Sequence, residues 1–147
     1  MYRRSLNNPL IGLMTEEEAT KIISNLIAVA GVEGVGLYEL NFIAPFVGLF
    51  RWHPGEAPKI ILEANLSIKE KAWVLAHEMG HLFTAAEIVE DTNDVDLIFG
   101  EDKALIATVE QAADKWASDY ITGTIRGIRG VSYPNSISTQ YMPLATA

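Results

Sequence analysis

The chain has no cysteine. A disulfide framework and thiolate metal ligands are both excluded, so any metal must be held by histidine and carboxylate. Basic residues are few: 11 Lys and Arg stand against 19 Asp and Glu, a formal net charge of −8. Broad, sequence-independent nucleic-acid binding needs a positive field, and no direct contact with nucleic acid is expected. Arg3-Arg4 and Arg126 with Arg129 are local basic pairs, and the remaining cations are scattered. Long apolar runs are missing too. The stretch 22–30 is interrupted by Ser24 and Asn25 and is too short to cross a bilayer. No apolar stretch separates Arg3-Arg4 from Asn7-Asn8-Pro9, so the start does not read as a secretory signal, and a cytoplasmic location is the expectation.

What is present is a chain of 147 residues, 49% of them hydrophobic, enough for one domain with a real core. The most informative stretch is His77-Glu78-Met79-Gly80-His81. On a helix, residues four apart share a face, so both imidazoles can bind one metal ion, each through a neutral ring nitrogen. Glu78 follows the first histidine. Without being a ligand, it can take a proton from an attacking water and pass it to a leaving amine. The surroundings read as helix: Ser67 with Glu70 three residues on is a capping box, followed by Ile68, Ala72, Val74 and Leu75 with no proline. The motif helix is expected from Ser67 to about Thr84.

Residues 1–14 read as a leader broken at Pro9. Thr15 caps a helix whose first turn carries Glu16, Glu17 and Glu18, with Ile22, Ile23, Leu26 and Ile27 on its buried stripe and Gly31 at its end. Three strands follow, over 34–42, 46–52 and 59–62, with a bend at Ala44-Pro45 and a turn through Trp52-His53-Pro54-Gly55. Strands in series suggest an antiparallel meander. The expected fold is α+β: a small three-stranded, mostly antiparallel sheet on three main helices. The acid-rich stretch 87–102 reads as a solvated loop. A last helix runs from Lys103 or Ala104 to Ile121 and ends at Gly123, and 124–147 shows no period. Trp52, Trp73 and Trp116 lie in apolar contexts and read as core. No repeat or domain boundary is visible, so 1–147 reads as a single domain.

A catalytic zinc site usually has three protein ligands. The remaining histidine, His53, sits in a turn and reads as exposed. Glu110 and Asp114 lie four apart, on one face of the last helix. Glu110 suits the metal, while Asp114, one turn on, can accept the free ring N–H of a ligand histidine. Glu87 and Glu90 are the competing acids.

Two segments resemble the ImmA/IrrE metallopeptidase family. The first is Ile60-Ile61-Leu62-Glu63-Ala64-Asn65-Leu66-Ser67 with Glu70-Lys71-Ala72-Trp73-Val74-Leu75-Ala76 and the His77–His81 motif. The second is Glu110-Gln111-Ala112-Ala113-Asp114-Lys115-Trp116-Ala117. The likeness spans about 15–121 and is strong over 60–81 and 110–117. It implies a zincin-like domain with zinc on His77, His81 and Glu110, Glu78 as general base, and Asp114 behind a ligand histidine. Members of that family are typically carried by phages and mobile elements, and several act on a partner transcription repressor. Met79 stands where leucine is usual, Ala112 replaces a frequent acid, and Thr122-Gly123-Thr124 departs from the family's usual ending. No helix-turn-helix segment is visible.

The expected function is therefore a zinc peptidase for a specific regulatory protein, such as a helix-turn-helix repressor. The substrate would lie extended along a free sheet edge, at 46–52 or 59–63. Tyr120, Tyr133, Tyr141, Arg126 and His53 are the candidates for stabilising an oxyanion. The alternative is a non-catalytic zincin-like module that acts by binding a partner protein.

Overall fold

The computed structural model describes residues 2–3, 7–42, 46–53, 55–88 and 103–130. The Ala44-Pro45 bend, Pro54, the acidic stretch 89–102 and the tail beyond 130 lie outside the described residues. In chain order the elements are β1 (Tyr2–Arg3), α1 (Pro9–Leu13), α2 (Glu16–Glu33), β2 (Gly36–Leu40), β3 (Phe46–Arg51), β4 (Lys59–Glu63), α3 (Ile68–Ile88) and α4 (Lys103–Arg129). The fold is α+β, a mixed sheet packed on helices.

The helices begin where side-chain chemistry tells them to. The Asn8 side chain accepts from the Leu10 N–H at 2.9 Å, with Pro9 as the first helical residue of α1. At α2, Thr15 Oγ1 accepts from the Glu18 N–H and the Glu18 carboxylate accepts from the Thr15 N–H, both at 3.0 Å. Ser67 and Glu70 make the same reciprocal pair at the head of α3.

The ends differ from expectation. Helix α2 passes Gly31 and stops at Gly34, which takes the left-handed conformation (φ 72°) and caps the Ala30 and Gly31 carbonyls. Helix α4 passes Gly123 and runs on to Arg129. A helical glycine costs only ~1 kcal/mol relative to alanine. Here that cost is outweighed by tertiary anchors beyond it. Ile125 is buried, and the Arg129 guanidinium forks onto the Glu18 carboxylate with two bonds of 2.7 Å.

The sheet order is β1-β3-β4-β2. The expected meander is corrected in one respect. Strand β2 does not neighbour β3; it pairs in parallel with β4, Gly36 opposite Lys59 through Leu40 opposite Glu63. Strands β3 and β4 are antiparallel, Gly48 opposite Leu62 and Arg51 opposite Lys59. Burial explains which strand is central. Ile60 and Leu62 of β4 are buried, whereas Tyr38 and Leu40 of β2 are more than half exposed. Strand β4 is therefore interior and cannot be a substrate edge. Strand β1, within the expected leader, adds to β3.

One core joins the layers. Helix α2 contributes Ile22 and Leu26, the sheet Val47, Phe50 and Ile60, α3 Trp73 and Leu75, and α4 Trp116, Tyr120 and Ile121. Trp73 and Trp116 are buried and Trp52 packs against the same cluster, as their apolar contexts suggest. Among the described residues no helix is long and apolar enough to cross a membrane.

Candidate metal centre

Helical spacing puts His77 and His81 one turn apart on the face of α3 that turns inward. His77, Glu78 and His81 are 0%, 1% and 3% exposed. The two imidazoles meet edge to face, with centroids 4.8 Å apart. Each of the three residues offers a ligand atom within 4.8 Å of the others.

Helix α4 brings the acid. Glu110 Oε2 lies 2.9 Å from His77 Nε2, and Glu110 Oε1 lies 3.0 Å from His81 Nε2. One carboxylate thus spans both imidazoles. Ligand atoms at 2.0–2.1 Å around a tetrahedral ion stand about 3.3 Å apart, so this spacing is within a few tenths of an ångström of a metal site. Asp114 Oδ1 lies 2.7 Å from His77 Nδ1. With the Nδ1–H donated there, Nε2 keeps its lone pair for a metal. Two imidazole nitrogens and a carboxylate oxygen form a donor set suited to zinc. Buried polar atoms without partners are rare, yet Glu78 Oε2 and His81 Nδ1 are both buried in this cluster with no hydrogen-bond partner. The first is a free acceptor beside the converging ligand atoms, the position a proton-transferring base requires.

The charges are strongly coupled. Burial alone would lower the pKa of His77, but its hydrogen bonds to Asp114 and Glu110 outweigh it and raise the ring to about 9. Burial would raise Glu110, and the hydrogen bonds from His77 and His81 instead hold it well below the usual carboxylate range. Glu78 is pushed up by burial, against the attraction of the two rings.

Two glycines set the spacing. A Cβ on Gly80 would stand 2.6 Å from the Ala113 carbonyl oxygen and 2.9 Å from its Cα, so α3 and α4 meet backbone to backbone inside the motif. A Cβ on Gly48 would stand 2.7 Å from Val74 Cγ1 and 3.4 Å from Glu78 Cδ, so β3 runs against Glu78. Phe50, on the same strand, stacks over His81 at 6.0 Å. None of these roles was read from the sequence. Gly48 carried a usable signal, since an isolated glycine inside a strand marks a close approach.

The site therefore brings together His77, Glu78, His81, Glu110 and Asp114. The other sequence candidates lie elsewhere. His53 accepts from Arg51 Nε at 3.0 Å, at the far end of β3. Tyr120 is stacked on Trp116 in the core, its hydroxyl pushed up to about 12 by burial, about two turns beyond Asp114 along α4. Arg126 is exposed, about three turns beyond Asp114. Tyr133, Tyr141, Glu90 and the side chain of Glu87 lie outside the described residues.

Comparison with protein-family models, curated proteins and solved structures gives no match for this chain.

Proposed function

We propose that this chain is a zinc-dependent peptidase of the kind the ImmA/IrrE resemblance implies, cytoplasmic and directed at a specific regulatory protein such as a partner repressor. The observation that carries the reading is the Glu110 carboxylate spanning the Nε2 atoms of His77 and His81, with the buried Glu78 beside them.

His77, His81 and Glu110 would hold the zinc. When bound, zinc polarises a carbonyl and makes water a stronger acid. The remaining work falls to this chain's own groups. Asp114 holds the His77 ring by its Nδ1–H. Glu78 takes the proton of the attacking water on its carboxylate and delivers it to the departing nitrogen of the cleaved bond. Burial on α3 keeps bulk water from competing for that proton.

The test combines metal analysis with cleavage of a helix-turn-helix repressor, chosen from a neighbouring gene. The wild type is expected to carry about one zinc and to cut the repressor. Glu78→Gln keeps the metal and loses cleavage, while His77→Ala loses both. If wild type and Glu78→Gln bind the repressor equally and neither cuts it, the chain is a binding module and not a peptidase.

A further inference from the structure

The general base touches the sheet at β3. That contact is recorded by the missing Cβ of Gly48, which would lie 3.4 Å from both Glu78 Cδ and Cγ. Strand β4 pairs along one edge of β3. The other edge is where an extended peptide can add a strand and carry its backbone past Glu78. The outer edge of β2 lies at the opposite end of the sheet, with β4 between it and β3.

That β3 edge already has an occupant from the same chain. Tyr2 stands opposite Gly48 and Arg3 opposite Phe46, antiparallel. The pairing is short and irregular. Strand β1 has two residues, and its register shifts between Tyr2 and Arg3, so Val47 is stepped over as a bulge. A bulge disrupts the ladder locally, so the two described pairs hold less firmly than two pairs of a regular ladder. Among the described residues the pairing of β1 reaches Gly48, and β3 continues to Arg51.

We propose that residues 2–3 are a displaceable strap over the substrate edge of the site. An incoming extended peptide pairs antiparallel with β3 and peels Tyr2 and Arg3 from Gly48 and Phe46, reaching Glu78 only after doing so. The idea rests on the peptidase reading for its biological meaning. It is self-inhibition by backbone mimicry: the strap holds hydrogen-bonding positions on β3 that the substrate would use.

The test uses full-length protein with Glu78→Gln in every background, so that binding is read without cleavage. The probe is a fluorescently labelled peptide copying residues 1–8, followed by anisotropy. In Y2P/R3P the prolines remove the strap's backbone donors and open the edge. In R3C/F46C, residues directly opposite each other are bridged. Such pairs lie within disulfide reach, and the chain has no other cysteine. The expected result is probe binding at least tenfold tighter to Y2P/R3P than to the parent, and none to oxidised R3C/F46C until it is reduced. The oxidised and reduced forms are one polypeptide, so a folding defect in the proline variant does not hide the answer. Equal binding by all forms, including no binding by any, overturns the strap. Failure of repressor cleavage in the separate hydrolysis test overturns the peptidase reading and leaves this binding result standing.

Discussion

Gly80 and Ala113 meet with no side chain between them: a Cβ at position 80 would stand 2.6 Å from the Ala113 carbonyl oxygen. The obstacle is helix backbone, which no rotamer change can move aside. Gly80→Ala gains up to about 1 kcal/mol of helix propensity, while overpacking of this kind costs about 1–3 kcal/mol. The clash wins. The variant is expected to be less stable in urea titrations and, because α4 is levered away from α3, to bind zinc at least tenfold more weakly by competition with a chelating dye.

Gly48→Ala sets a different neighbour in the way, Val74 Cγ1 at 2.7 Å, with Glu78 just behind it. Valine is stiff about χ1, so it yields poorly. We expect a loss of about 1–3 kcal/mol in stability and a fall in turnover with metal content unchanged. Adding Val74→Ala should restore much of the loss specific to Gly48→Ala. A double-mutant cycle by urea denaturation measures that coupling directly.

Asp114 is 47% exposed, yet it holds a fully buried imidazole. Asp114→Asn keeps the shape and removes the charge that fixes the His77 tautomer. Losses of 10–100-fold in metal affinity are typical when such a partner is removed. That range is the expected outcome by equilibrium zinc titration, with Asp114→Ala at its upper end and the fold intact by circular dichroism.

The Glu18–Arg129 pair is expected to contribute to acid stability. Hydrogen bonds from Arg129, working against burial, lower the Glu18 carboxyl from 4.5 to about 2. A depressed carboxylate pKa stabilises the fold above the unfolded value, and the contribution is lost as pH falls through the folded value. Thermal stability should therefore drop between about pH 4.5 and pH 2. Arg129→Ala should lower the melting temperature near neutrality and flatten that slope. An unchanged slope in the variant would assign the acid transition to other carboxylates.

Local chemistry was legible in the sequence and long-range pairing was not. The capping boxes at Thr15–Glu18 and Ser67–Glu70 involve residues three apart, and both form. The i, i+4 spacing of His77 with His81, and of Glu110 with Asp114, placed each pair on one helix face. Geometry then brought the two faces together. The order of the sheet escaped because alternation along a strand does not say which neighbour it pairs with. Nothing in Gly36–Leu40 announces that its partner is Lys59–Glu63 and not the strand that follows it. Gly123 misled as a stop because the residues that carry α4 onward, Ile125 and Arg129, act through contacts with distant parts of the chain.

The close seat at Gly80 bears on how such motifs should be judged. An H-E-x-x-H arising by accident on a solvent-facing helix has no second backbone to admit, and so no call for a bare α-carbon between its histidines. In this chain the gap in the side-chain row is as much a part of the lock as the imidazoles, and a search that scores only the reactive residues would give it no weight.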